Sequence, residues 1–98
     1  MIIESIAKYL TGRRHIENVT RIADNIHIRF DNGTMFDLHL SHRYPKTVNY
    51  DIHWDGSICT SDGSGWFDFH NDPPTEDQLG EFYLHAMRDA DIDFWLDV

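Results

Sequence analysis

NIHIRFDNGTMFDLHL, Asn25 to Leu40, decides the fold of this chain. Ile26, Ile28 and Phe30 alternate with polar residues, as do Thr34, Phe36, Leu38 and Leu40, and Asp31-Asn32-Gly33 lies between. Period-two alternation marks half-buried strands, and an Asn-Gly between two such runs marks a hairpin turn. Two registers compete. A two-residue Asn32-Gly33 loop pairs Ile28 with Asp37 and puts the two apolar rows on opposite faces. A three-residue loop, with Gly33 left-handed after a type I turn, pairs Ile26 with Leu38 and Ile28 with Phe36. Only the second leaves one apolar face, and a one-residue slip flips every side chain. The sequence therefore predicts the three-residue loop.

Upstream, Ile2, Ile3, Ile6, Ala7 and Leu10 recur at helical spacing and predict an amphipathic helix over residues 2–11. Gly12 supplies its stop, and Arg13-Arg14 suit the negative end of the helix dipole. His15 to Asp24 reads as a short strand leading into the hairpin. Downstream, the segment Ser41 to Thr47, with Pro45, reads as a loop. Val48, Tyr50, Ile52 and Trp54 alternate with Asn49, Asp51, His53 and Asp55, which predicts a half-buried strand with the polar set outward. Asp55-Gly56 and Asp62-Gly63 read as turns, Ser57–Ser61 as a weak return strand and Ser61–Gly65 as a flexible loop. Phe67 and Phe69 then form one face of a short strand, with Trp66, Asp68 and His70 on the other.

Thr75 and Gln78 fit a capping box, and Leu79, Phe82, Tyr83, Ala86, Met87 and Ala90 follow at helical spacing. This helix, ending near Ala90, should lay its apolar stripe across the sheet, with Gly80 permitting close approach to a strand. Ile92, Phe94 and Leu96 alternate with Asp93, Trp95 and Asp97 and suggest an extended tail or edge strand. The expected architecture is α+β: an antiparallel meander of about five strands, the carboxy-terminal helix on one face and the short amino-terminal helix over the remaining apolar edge.

The 98 residues suffice for one domain, 1–98. A single cysteine, Cys59, excludes an internal disulfide and favours a reducing compartment. No signal peptide is legible, since Glu4 and Lys8 interrupt the first apolar residues, and no apolar run approaches the roughly 20 residues of a membrane span. A cytoplasmic location is expected, with no membrane partner. The net charge of −9 is unevenly placed: through Lys46 seven basic residues face five acids, whereas Arg88 alone faces twelve acids thereafter. Either folding gathers those acids onto one surface, or they keep a small domain soluble. With eight basic residues against seventeen acids, direct nucleic-acid binding is not expected, although Arg21, Arg29, Arg43 and Lys46 offer a small basic patch.

Seven histidines raise the question of catalysis or metal. In the three-residue register His27 faces Asp37, a pairing that could orient an imidazole or serve as a cross-strand contact. His39 with His42, or His53 with Asp51 and Asp55, would need the fold to assemble a site. No HExxH, paired CxxC, calcium loop or phosphate loop appears, so no metal, cofactor or catalytic residue is assigned. Trp66 and Trp95 stand among Asp68, His70, Asp93 and Asp97. A tryptophan ringed by carboxylates is an interface anchor if exposed, and core if its strand is covered on both faces. The candidate partner-binding set is Trp66, Asp68, Asp93, Trp95, Asp97, Asp51, His53 and Asp55.

In size, charge and composition alone, the chain is similar to phage-encoded inhibitors of bacterial defence systems, the anti-CRISPR and anti-restriction proteins. That resemblance implies a non-enzymatic protein that occludes a basic, nucleic-acid-binding surface of a partner. An immunity protein or antitoxin against a cationic nuclease fits the same composition. A small histidine-dependent metal enzyme is the alternative from another class.

Overall fold

Phe30 N–H donates to Thr34 O at 2.8 Å and Gly33 N–H to Phe30 O at 3.1 Å, with Gly33 at φ +92°. This is the three-residue loop, and it sets Ile26 opposite Leu38 and Ile28 opposite Phe36 as the one-face argument requires. A computed structural model describes residues 1–57 and 61–92. Its elements in chain order are α1 (Ile2–Leu10), β1 (Ile16–Ile22), β2 (Asn25–Phe30), β3 (Met35–Leu40), β4 (Thr47–His53), β5 (Gly63–Asp68) and α2 (Glu76–Asp89). The five strands form one antiparallel sheet in sequence order, an α+β meander with a helix at each end of the chain.

Both helices pack on the face carrying Ile26, Ile28, Phe36, Leu38, Val48, Tyr50 and Ile52, all buried. α1 contributes Ile2, Ile3, Ile6 and Leu10 and lies over β1 and β2; α2 contributes Leu79, Phe82, Ala86 and Met87. An aromatic chain runs through this core. Phe30 meets Phe36 edge-on at 4.8 Å, Phe36 stacks on Tyr50 at 4.6 Å, and Phe82 sits against Phe67 and Phe69 at 5.4 and 5.5 Å. Each fully buried large side chain contributes roughly 1.5–3 kcal/mol.

The helix ends follow their local chemistry. Thr75 Oγ1 accepts from Gln78 N–H at 3.2 Å while Gln78 Oε1 accepts from Thr75 N–H at 2.9 Å, closing the capping box. Gly12 takes φ +83° after α1, and Arg13 donates from Nε to Tyr9 O with its guanidinium 3.8 Å over the Tyr9 ring. Arg13 thus serves the end of its own helix.

The second half departs from the expected pattern at four places. Trp54 leaves the apolar face of β4: it lies beyond the strand end, 45% exposed, with its indole N–H donating to Asp89 O at 3.0 Å. His53, expected outside, is buried opposite Met35, where the turn at Gly56 folds back against Arg29 and Gly33 O. Gly63 and Gly65, expected in a turn or flexible loop, belong to β5, because Trp54 and Tyr50 fill the space their side chains would take. Gly80 admits the Tyr9 hydroxyl of α1 and not a strand. The return strand expected over Ser57–Ser61 falls mostly on residues 58–60, and the tail strand on 93–96, outside the described residues.

Candidate protein-binding face

β5 runs along one margin of the sheet, and α2 crosses the inner face beside it. The helical positions Gln78, Glu81, His85 and Asp89 fall at i, i+3, i+7 and i+11, a polar stripe adjoining the buried one. Because the buried stripe faces the core, this polar one flanks β5. Between them lies a groove of about 740 Å³ that curls round the margin. Phe67 forms its floor, 5.4 Å from the His85 ring, and Trp66 stands at its rim on the outer face, 65% exposed. Its ionisable lining is Asp68, Glu81, Asp89, His70 and His85, with neither Lys nor Arg among the described residues.

Asp89 ties helix to sheet. Its Oδ2 accepts the Tyr50 hydroxyl and lies 3.4 Å from His85 Nε2, while its carbonyl holds the Trp54 indole. Burial first, then the bond to Asp89 and its charge, push the Tyr50 hydroxyl far above the usual tyrosine range, so it remains a neutral donor.

On the outer face Trp66 lies beside Asn49, and a second hollow of about 590 Å³ there is lined by Trp66, Asp68, Asn49 and Tyr44, with Arg43 as its one cation. Tyr44 is itself 57% exposed. Trp66 and Asp68 line both hollows, so the exposed ring sits on the ridge between them.

The expected set divides accordingly. Trp66, Asp68 and Asp51 share the outer face of β4 and β5, with Asp51 opposite Ser64. His53 is buried, 5% exposed, and offers too little surface to contact a partner. Asp55 lies beyond the end of β4 and accepts from Ser57 N–H at 2.9 Å, holding its own turn. Asp93, Trp95 and Asp97 lie outside the described residues. Glu81, His85 and Asp89 were not expected, although their helical spacing was readable; what the sequence lacked was the side of α2 on which β5 would fall.

His27 and Asp37 do meet, with Nε2 3.5 Å from Oδ1, yet that carboxylate oxygen is buried with no hydrogen bond, and Asp51 stands opposite Asp37 on the next strand. His39 lies opposite Asn25, its ring 6.3 Å from that of His42. Among the described residues no three His, Cys, Asp or Glu side chains come together in a group that could hold a metal ion. Arg29 sits toward the β2–β3 loop, Arg43 and Lys46 between β3 and β4 at the other end of the sheet, and Arg21 pairs with Glu4 at 3.6 Å, so the four form no single patch. No helix among the described residues is long and apolar enough to cross a membrane.

Comparison with protein-family models, with curated proteins and with solved structures found no match to this chain.

Proposed function

We infer that this chain is a small non-enzymatic binding protein that works in the cytoplasm by docking its acidic, tryptophan-bearing margin on a basic surface of another protein. One observation carries the reading. An exposed Trp66 rims a groove whose described lining holds three carboxylates and no Lys or Arg. Tryptophan supplies the desolvated anchor that tight interfaces need, and the carboxylates steer a cationic partner toward it. A surface built to bind phosphate is the natural basic partner, so docking there inhibits a nucleic-acid-binding protein, as anti-CRISPR and anti-restriction proteins do. An immunity protein facing a cationic nuclease would use the same margin, and the identity of the captured partner separates the two.

The test is capture from a lysate of the source cells by the parent chain, by Trp66→Ala and by Glu81→Lys, with thermal melting of each. Both positions are exposed, so each variant should melt within about 4 °C of the parent. Trp66→Ala should weaken capture of a basic protein by about 2 kcal/mol or more. Retention of that protein by both folded variants places the interface elsewhere.

A further inference from the structure

The two margins of the sheet are built differently. β1 carries a bulge between Ile16 and Asn18, exposes Glu17 and Arg21, and has Arg21 paired to Glu4 of α1. Bulges and edge charges of this kind keep other strands from adding. β5 has no bulge and no cation, and its one charge is Asp68 at the strand end. Its six residues pair with β4 in unbroken register, contain no Pro, Lys or Arg, and among the described residues meet no strand on the other side.

The ladder fixes which groups that open margin presents. Phe69 N–H donates to Lys46 O at 2.9 Å, and these two residues continue the β4–β5 register, so they form a hydrogen-bonded pair. Antiparallel ladders alternate. Phe67, Gly65 and Gly63 therefore turn their amides to β4, and Ser64, Trp66 and Asp68 turn theirs outward. The outward groups repeat about every 7 Å, the spacing an incoming strand requires.

Resting on the reading above and naming its mode, we propose that β5 accepts an extended lysine- or arginine-bearing segment of the partner protein as a sixth strand of the sheet. Alternate side chains of that segment fall on the two sides of the sheet. Those on the inner side reach Glu81 and Asp89; those on the outer side lie on Trp66 beside Asp68, where an arginine gains a cation–π contact. Charge selects this occupant over a second copy of the chain, whose own β5 would bring Asp68, Glu81 and Asp89 against a like set.

The probe is a peptide of alternating lysine and valine long enough to span β5, compared with its counterpart N-methylated at every residue. The two share charge and side chains, but the second cannot donate to a strand. Binding is followed by calorimetry, and amide exchange of the protein by NMR. The unmodified peptide should bind saturably and slow exchange at Ser64, Trp66 and Asp68 by about tenfold or more, leaving Gly65 and Phe67 unchanged. The methylated peptide should bind about tenfold or more weakly. Equal binding of both peptides, with exchange at the three amides unaltered, overturns strand addition while leaving the acidic margin as a cation-binding surface. Failure of both peptides to bind at low salt overturns the two together.

Discussion

Replacing Gly65 by alanine should unsettle the whole groove. A Cβ at position 65 would lie 2.5 Å from Tyr50 Cζ and Oη and 2.7 Å from Cε2. Tyr50 cannot retreat, since its ring is 1% exposed, stacks on Phe36 at 4.6 Å and is tied by its hydroxyl to Asp89. Overpacking a filled core costs about 1–3 kcal/mol. Displacing the ring also loosens a hydrogen bond to a charged acceptor, adding about 1.5–3 kcal/mol. Taken at about 3 kcal/mol, the loss is a large part of the 5–15 kcal/mol typical of a domain, and should lower Tm by roughly 15 °C. Gly63→Ala is the internal comparison: its Cβ would meet Trp54 Cη2 at 3.0 Å, and that half-exposed ring can give way at about 1 kcal/mol, the worth of its exposed hydrogen bond to Asp89 O. Circular-dichroism melts of the two variants give the answer. Adding Gly65→Ala to Tyr50→Leu should cost much less than adding it to the parent, because the obstructing ring is gone. A Gly65→Ala melt within about 4 °C of the parent would refute the packing argument.

Phe36→Asp should prevent folding by burying an unpaired charge, whereas Asp37→Ala should be neutral or slightly stabilising, because it removes a buried carboxylate oxygen without a hydrogen bond; equal tolerance in urea titrations would overturn the register. Raising the pH should destabilise the fold above about pH 10, because Tyr50 deprotonates in the unfolded chain before it does in the folded one. The stability is complete below that pH and falls by up to about 1.4 kcal/mol per unit above it, so Tm measured from pH 9 to pH 11 should drop less in Tyr50→Phe. The raised Tyr83, also shifted by burial, would retain part of the slope. Thr75→Ala should cost about 1 kcal/mol by opening the capping box, seen as a lower urea midpoint with unchanged slope; an unchanged midpoint would contradict that role.

The hairpin and α2 were legible because local rules agree with the global fold there: Gly33 satisfies a left-handed position, and Thr75, Gln78 and the apolar stripe specify one helix. The first half of β5 was not, because Gly63 and Gly65 look like turn residues until Trp54 and Tyr50 are known to occupy their space. His53 failed for a similar reason. Alternation assigns it to the outer face, and it does lie there, but no periodicity shows that the Gly56 turn folds back onto that face. For the site, the alternation of Phe67 and Phe69 put Trp66 on the opposite face, and only the fold shows that this face is uncovered at Trp66. Glu81 and Asp89 needed the placement of α2 against β5, a long-range fact that helical spacing alone does not contain.

The most direct measurement of the central claim is photocrosslinking from the margin itself. A photoreactive phenylalanine analogue is placed at Ser64, beside Trp66 on β5, or at Thr20 on the opposite edge strand as reference; both positions are exposed. Each chain is irradiated in lysate of the source cells, and the crosslinked protein is identified by mass spectrometry. One basic protein should be joined through position 64 and be absent from the position-20 sample. Crosslinks from position 20 with none from position 64, or an acidic protein at position 64, would contradict the docking of this margin on a basic surface.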